Sequence, residues 1–378
     1  MNATIQPVQL PYITAHLAGI GGQIRSTPEH FVVEELPLYL PQGEGSHLYL
    51  SITKVGLTTR QVADQLEQLL GLRRGDVGYA GLKDKHARTT QMISVPLNKQ
   101  DTAQIEATVE QIRSALPIEV HWGRLHGNKL KAGHLLGNRF RITISALGES
   151  VTVLLPLAQA IASEIQQRGI PNYFGQQRFG VRGDNPEQGR ALLRGERFVR
   201  DSWLRRFLLS SLQSELCNRY LAVRLNTGLF DRLLLGDVAK KHTTGGIFDV
   251  TDISSEQPRF EAQEISFTAP MFGYKMHGAK DEAAQLEAQV LGEAGINLND
   301  WRKVRVEGTR RMGRLLVQDL KIEAVEPNTP ENELTGKQMV LSFTLPKGAF
   351  ATTVLREFMK NDSAEVDFEG DDEEVEKS

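Results

Sequence analysis

One segment of the sequence combines a single carboxylate with several cations. The segment GYAGLKDKHARTTQ, residues 78–91, places Asp84 between Lys83 and Lys85. Neighbouring cations favour the ionised form of a carboxylate and add charge that could hold a phosphate. An ionised carboxylate in a partly desolvated pocket can act as a nucleophile or as a base. The alternative is an aspartate that stabilises a turn, and the spacing alone favours that simpler interpretation.

Two basic clusters add a second chemical signal. Residues 121–148 contain five Lys or Arg and no acidic residue, and residues 301–314 contain six against Glu307 alone. Aromatic residues lie among the glycine-containing segments, namely Phe140, Tyr173, Phe174, Phe179, Phe272 and Tyr274. Positive charge with interposed rings suits a folded RNA that carries an unstacked base. The alternative is that the rings belong to the core and the charges to ordinary solvated surfaces.

Several other kinds of site are excluded by the motifs that the sequence lacks. It has no G-x-x-x-x-G-K-[ST] phosphate loop, no H-E-x-x-H and no G-x-S-x-G. Cys217 is its one cysteine, so neither an intrachain disulfide nor a cysteine-based zinc site can form. The spacing of His121, His126 and His134 matches no metal site. We therefore expect neither a metal nor a cofactor.

The elements that must position these residues follow from periodicity. Residues 47–55 and 138–147 alternate as half-buried strands do, and Thr58 or Thr59 can begin a helix that ends at Gly71. Residues 172–186 have no clean period and predict an ordered loop. Further helices are expected at 101–116, 155–167, 201–225 and 350–360, and further strands at 314–325 and 338–346. The pattern predicts an α+β fold in which a more helical insertion interrupts a β-rich domain.

Five blocks of the sequence resemble the D family of tRNA pseudouridine synthases, and they do so in the family's order. The blocks are IRSTPEHFVVEEL (24–36), GYAGLKDKHARTTQ (78–91), GNRF (137–140), PNYFGQQRFG (171–180) and LPKGAFATTVLRE (345–357). The match is closest to bacterial members. The resemblance implies an isomerase without cofactor that converts uridine 13 of certain tRNAs to pseudouridine. It also implies a pseudouridine-synthase catalytic domain with a curved mixed β-sheet, formed by residues 1–170 and 320–359, and an inserted α+β TRUD domain at 171–319.

The resemblance also implies which residues form the site. Asp84 matches the catalytic aspartate, and three residues match positions of the uridine pocket: Phe31, Asn138 and Phe350. Three basic residues beside the pocket are candidate RNA or phosphate contacts: Arg25, Lys83 and Lys85. Asn128 is a weaker alternative to Asn138, because residues 125–134 differ in length from the family pattern. No metal-binding or cofactor-binding residue is implied.

The overall charge conceals an uneven distribution. The 378 residues include 44 Lys or Arg and 47 Asp or Glu, which gives a net charge of −3. Residues 360–378 hold nine of the acidic residues and two lysines, and they predict a disordered acidic tail with a solubilising or a docking role. Residues 1–359 therefore carry a net charge of +4. A mildly basic body suits an enzyme that binds tRNA and then releases it.

The compartment and assembly are expected to be simple. The N-terminus lacks the pattern of a secretory signal, and no apolar stretch is long enough to span a bilayer. These features predict a cytoplasmic protein that does not bind a membrane. We also expect a monomer with no obligate protein partner. The remaining alternatives in function are an RNA-binding protein without catalysis and a metal-dependent RNA hydrolase.

Overall fold

The computed structural model describes residues 9–97, 101–180, 182–325 and 337–361. The strands within these ranges are β1 (Phe31–Pro37), β2 (His47–Lys54), β3 (Gly78–Tyr79), β4 (Arg88–Pro96), β5 (Ile118–His126), β6 (Leu135–Ile144), β7 (Ile170–Pro171), β8 (Val238–Lys241), β9 (Ile247–Asp249), β10 (Ile265–Met271), β11 (Thr309–Met312), β12 (Arg314–Leu315), β13 (Gln318–Val325) and β14 (Gln338–Pro346).

The α-helices within the same ranges are α1 (Thr59–Leu70), α2 (Thr102–Ala115), α3 (Val151–Arg168), α4 (Asn185–Arg194), α5 (Ser202–Asn226), α6 (Ile253–Glu261), α7 (Asp281–Glu293), α8 (Leu298–Lys303) and α9 (Ala351–Met359). Two short 3₁₀ helices cover Pro28–His30 and Gln176–Phe179. No helix in the described part of the chain is long and apolar enough to cross a membrane.

The chain divides into two compact units. The sheet unit comprises Ile20–Gln159 and Gln318–Ala351, and the helical unit comprises Ala160–Val317 with the described residues of Met1–Gly19 and Thr352–Ser378. The chain therefore enters the sheet unit twice. The expected domain limits at 170/171, 319/320 and 359/360 stay predictions, and residues 362–378 of the expected tail lie outside the described residues.

The sheet unit is built on an eight-stranded mixed sheet. Its main path is β13-β14-β6-β1-β4-β2-β5, and β3 pairs with β4 beside this path. β1 and β4 run parallel, whereas the other pairs are antiparallel. The prediction of an α+β fold with a mixed sheet is confirmed.

Helix α1 shows how local sequence signals fix one element of this unit. The Thr58 hydroxyl accepts a hydrogen bond from the Gln61 amide, the Gln61 side chain accepts one from the Thr58 amide, and Gly71 ends the helix in a left-handed conformation. These contacts satisfy amide and carbonyl groups that a helix end otherwise leaves unpaired. The apolar side of α1 packs on the sheet through Val62 and Leu66. The predicted helix and its two ends are confirmed.

The helical unit surrounds the long helix α5. Asp201 caps its first turn, and its central residues are buried on nearly every side. Helix α4 approaches closely at Gly189, where a Cβ atom would lie 2.2 Å from the Leu208 carbonyl oxygen. The fully buried ion pair between Arg224 and Asp237 joins α5 to the segment that precedes β8. Strands β11, β10, β8 and β9 form the sheet of this unit.

One strand prediction was wrong in its extent. The expected strand at 314–325 consists of two strands that belong to different sheets, with β12 paired to β7 and β13 paired to β14. The break falls where the chain passes from one unit to the other at Val317. Asp319, with φ 53°, lies within β13 at a shift in its register with β14. Helices α6, α7 and α8 lie between residues 253 and 303, next to glycine-containing loops that obscured their periodicity.

Candidate active site

Asp84 lies in the turn between β3 and β4, and both of its carboxylate oxygens are oriented. Oδ1 accepts a hydrogen bond of 2.9 Å from the His86 amide. Oδ2 accepts one of 2.8 Å from Nη2 of Arg25, and the Asp84 side chain is 14% exposed. The carboxylate is therefore fixed in direction and still reachable from solvent. The hydrogen bond from the amide two residues further on is the one that a turn-forming aspartate makes. The ion pair with Arg25 and the remaining exposure would also suit a reacting group.

Arg25 links this carboxylate to an aromatic ring. Its side chain is 7% exposed, and its guanidinium carbon lies 4.4 Å from the centre of the Phe31 ring. The backbone of Arg25 is left-handed, with φ 61°. Residues other than glycine seldom adopt this conformation, and such backbone strain is concentrated at functional sites. The sequence placed Arg25 beside the pocket, and the structure joins it to both Phe31 and Asp84.

Lys54, a residue that the sequence did not single out, holds the backbone of the Asp84 turn. Its side chain is buried, and Nζ donates to the carbonyl oxygens of Leu57, Lys83 and Asp84 at 2.5, 3.2 and 2.9 Å. Hydrogen bonds from a charged donor are stronger than those from a neutral one. The ammonium therefore fixes the backbone that carries the carboxylate. The sequence could not predict that Lys54 holds this backbone, because it is one polar residue in a strand of alternating polar and apolar residues.

Lys83 forms a buried ion pair on the other side of the turn. Its Nζ lies 2.5 Å from Oε2 of Glu35, and the two side chains are 5% and 1% exposed. The Lys83 amide donates to the Thr59 hydroxyl, which in turn donates to Gln91. Lys83 therefore links strand β1, helix α1 and the Asp84 turn. Its expected contact with phosphate stays a prediction, and such a contact would require this pair to open.

The three residues expected in the uridine pocket belong to the sheet unit, with Phe31 and Asn138 on the neighbouring strands β1 and β6. Phe31 begins β1 and lies edge-on to Phe140, with ring centres 6.5 Å apart. Asn138 of β6 pairs across the sheet with Glu35 and is half-buried, and its Oδ1 is buried without a hydrogen-bond partner among the described residues. Phe350 follows β14 and is half-buried. An unpaired buried acceptor is costly, so Asn138 suits a site that a ligand completes.

Asn128, the alternative to Asn138, has different surroundings. Its side chain is exposed, and its carbonyl oxygen accepts a hydrogen bond from the Tyr49 hydroxyl. Tyr49 belongs to an aromatic cluster with Tyr39 and His126. Burial raises the pKa of the Tyr49 hydroxyl above its usual value. The geometry therefore favours Asn138 as the pocket residue.

The remaining sequence signals divide between surface and core. Lys85 is half-buried beside Asp84. Phe140, Tyr173, Phe174 and Phe272 are core residues, as the simpler interpretation had it. No group of three His, Cys, Asp or Glu side chains that could hold a metal ion is found within the described ranges. Complete burial raises the pKa of the Cys217 thiol to about 11, so this thiol is not a ready nucleophile.

The basic cluster at 301–314 is split between surface and interior. Arg310 pairs with Glu287 in the interior, and Arg314 lies 3.6 Å from the centre of the Phe260 ring. Burial lowers the pKa of the Arg314 guanidinium to about 10. Arg302 and Arg305, in contrast, are exposed. The interpretation of the whole cluster as an RNA-facing surface was therefore wrong for Arg310 and Arg314, whose side chains are buried.

Comparison with known proteins identifies the class. The family model of tRNA pseudouridine synthase D matches residues 8–201 and 199–358 of the chain. A protein named tRNA pseudouridine synthase D from Thermus thermophilus is 42% identical over 360 residues, with 95% of each chain covered. The protein of the same name from an Anaeromyxobacter species is 42% identical over 358 residues, which cover 93% of this chain and 96% of the relative.

A solved structure agrees with these relatives. The crystal structure of a candidate tRNA pseudouridine synthase D from Methanosarcina mazei has a TM-score of 0.78 and 26% sequence identity. The match covers 95% of this chain and 98% of the Methanosarcina mazei chain. The chain is a pseudouridine synthase, an isomerase. Specifically, it belongs to the tRNA pseudouridine synthase D family.

Proposed function

We propose that this enzyme converts uridine 13 of tRNA to pseudouridine and that Asp84 is its catalytic carboxylate. The observation that carries the proposal is the orientation of Asp84 by the His86 amide and by Arg25, whose guanidinium also lies over the Phe31 ring. An aromatic ring and an oriented carboxylate are what chemistry on a nucleotide requires. The names of the relatives supply the substrate class, since they are called tRNA pseudouridine synthases.

The reaction breaks one bond and forms another within the same nucleoside. The C1′–N1 glycosidic bond breaks, the uracil turns in the site, and C5 bonds to C1′. C5 then loses its proton, and N1 gains one. The product is an isomer of the substrate, so the balance needs no oxidant or outside group. Asp84 acts either as a nucleophile on the sugar or uracil, or as the base that removes a sugar proton. Both routes need an ionised carboxylate.

Access to the base requires flipping. A base within a stack cannot reach Asp84, so the uridine must turn out of the RNA, at a cost of a few kcal/mol. Stacking on the half-buried Phe350 would recover about 1–3 kcal/mol for the base. Phe31 is 4% exposed and lies beneath the Arg25 guanidinium, so a base could stack on it only if Arg25 moved. The Asn138 amide has a buried acceptor without a partner among the described residues, which a uracil N–H or a ribose hydroxyl could satisfy. Phe31, Asn138 and Phe350 are thus assigned to the uridine pocket.

The test is the variant Asp84→Asn, assayed by tritium release from tRNA that carries [5-³H]uridine. Asparagine retains the shape and an acceptor for the His86 amide but not the charge. We expect the rate to fall by at least about 1,000-fold, since a residue that acts directly on the reacting atoms is removed. Asp76→Asn is the control, because Asp76 accepts a hydrogen bond from the Arg73 amide in an exposed turn.

Product mapping separates the parts of the proposal. Near-normal tritium release by Asp84→Asn would reject the catalytic role of Asp84. Pseudouridine at a tRNA position other than 13 would reject the position but retain the activity. A tRNA with cytidine at position 13 should yield no product. Tight tRNA binding by the native enzyme without any product would favour an RNA-binding protein without catalysis.

A further inference from the structure

The loop between α4 and α5 exposes an aromatic ring. Phe198 is 84% exposed, although a phenylalanine normally buries most of its surface. The loop joins α4, which ends at Arg194, to Asp201, the N-cap of α5. Phe198 therefore lies on a short connection between two packed helices of the helical unit. A single exposed apolar residue needs no explanation by itself, but its surroundings here are unusual.

The backbone of this loop is anchored at both ends. Gly195 ends α4 in a left-handed conformation, and the amides of Glu196 and Arg197 both donate to the Ala191 carbonyl. At the other end, the Asp201 carboxylate accepts hydrogen bonds from the first turn of α5. The direction of the Phe198 side chain is therefore set by a short, tethered turn. A ring presented in this way is preorganised for contact with a partner.

Arginines flank Phe198 in the sequence. Residues 194–206 contain five arginines against Glu196 and Asp201, and the Asp201 carboxylate is engaged as a helix cap. Four of these arginines are exposed, and none of the four has an ion pair with a carboxylate in the part of the chain that the structure describes: Arg194, Arg197, Arg200 and Arg206. Their positive charge is thus available to a partner.

A second group of arginines extends the same surface. Nη2 of Arg205 lies 3.4 Å from the Val304 carbonyl oxygen, and Nη2 of Arg194 lies 3.3 Å from that of Gly295. These contacts join the α4–α5 loop to the segment around α8, where Arg302 and Arg305 are exposed. We call this area, formed by residues 194–206 and 302–305, the arginine surface. It lies wholly within the helical unit.

We propose that the arginine surface binds a single-stranded or loop segment of tRNA, with Phe198 stacked on an unpaired base and the arginines on the adjacent phosphates. Guanidinium groups match phosphate geometry, and exposed rings stack on bases of any sequence. Arginine in place of lysine also favours RNA, because a guanidinium both pairs with phosphates and stacks on bases. The proposal rests on tRNA being the substrate, and it adds a contact remote in sequence from Asp84.

The test measures tRNA affinity and catalysis separately. Phe198→Ala should raise the Kd for tRNA about 5-fold or more, the effect expected when one base no longer stacks. The loss should appear in KM rather than in kcat, because an interaction that only holds the tRNA stabilises the ground state and the transition state equally. The double variant Arg197→Gln/Arg200→Gln should reduce the slope of log Kd against log salt by about 0.7 for each phosphate that is no longer neutralised. Phe198→Trp should retain the affinity and report binding by fluorescence quenching.

Two matched variants control for general effects of surface change. Ile247→Ala removes another exposed apolar side chain of the helical unit, which is 46% exposed. Arg259→Gln removes an arginine that already pairs with Glu256 and Glu264. Both should bind tRNA as the native protein does. Native affinity and salt slope in the Phe198 and arginine variants would overturn the proposal.

The proposed function is tested by pseudouridine formation, whereas the surface proposal is tested by tRNA binding. If the native enzyme makes no pseudouridine, the proposed reaction is rejected. The proposed surface would still be supported if Phe198→Ala weakens tRNA binding by the expected factor. If the native chain does not bind tRNA at all, the surface proposal is rejected as well.

Discussion

The ion pair between Lys83 and Glu35 should support the structure rather than contact RNA, and Lys83→Met tests this. The two charged groups are 2.5 Å apart and almost completely buried, and Oε1 of Glu35 also accepts a hydrogen bond from the Met92 amide. Removal of the ammonium would leave a carboxylate in the sheet without a counter-charge. The loss of one partner of a buried pair costs about 3–5 kcal/mol of folding free energy.

This cost should be visible as a large change in melting temperature. For a folding unit of 150–250 residues, 1 kcal/mol corresponds to about 2–4 °C. Lys83→Met should therefore lower the Tm of the sheet unit by about 6–20 °C, which is the product of these two ranges. Urea denaturation monitored by circular dichroism would supply the free energy of unfolding. The rate of pseudouridine formation should fall too, because Lys83 adjoins Asp84.

A double variant separates a structural role from contact with RNA. Glu35→Gln/Lys83→Met removes both charges but keeps an acceptor for the Met92 amide. It should recover about 2–3 kcal/mol of the loss, within the usual coupling range for residues in contact. Native-like stability in Lys83→Met would refute the structural role. A recovered double variant whose salt slope for tRNA is lower by about 0.7 would show instead that Lys83 contacts a phosphate.

Two further predictions concern Lys54 and His242. Lys54→Met should lower the single-turnover rate about 100-fold, because small displacements of a reacting group have effects of this size. The Kd for tRNA should change less than about 2-fold. A native rate would contradict the role assigned to the ammonium. Burial, and then the charge of Arg314, lower the pKa of His242 to about 4, against 6.5 for the ordinary imidazole. The unfolded chain therefore binds more protons between about pH 6.5 and 4, so stability should fall as the pH decreases through this range. Urea denaturation at about pH 7.5 and about pH 5 gives the free energy of unfolding on either side of the ordinary imidazole pKa. The difference between the two free energies should be smaller in His242→Gln than in the native protein. An unchanged difference would exclude His242 as its source.

The elements with strong local signals were predictable from the sequence. Helix α1 has Thr58 at its start and Gly71 at its end, and both residues act through contacts within a few positions of the chain. Helix α5 is similar, because Asp201 caps it and apolar residues recur along it. Such features require no knowledge of the rest of the fold. Helix α7 was missed, because Lys280 at its start makes no side-chain cap hydrogen bond and the segment before it contains Gly273 and Gly278.

The support of the site was not predictable, because it depends on pairs distant in sequence. Glu35 and Lys83 are separated by 48 positions, and each looks like an ordinary charged residue of a strand or a loop. Lys54 lies in an alternating strand, and only the fold brings its ammonium to the Asp84 turn. The buried arginines at 310 and 314 illustrate the same limit, since a sequence does not show which charges are enclosed.

The charged side chains around Asp84 include more cations than carboxylates, as a site that binds a polyanion would require. A carboxylate that acts on a nucleotide must approach phosphates, and like charges repel each other. Arg25 pairs with Asp84, Lys83 pairs with Glu35, and the Lys54 ammonium binds backbone carbonyls near both. Three cations thus accompany two carboxylates, so these side chains together carry a net positive charge. Because these cations lie beside Asp84 itself, a chain whose overall net charge is −3 could bring this carboxylate close to RNA phosphates, as the proposed function requires.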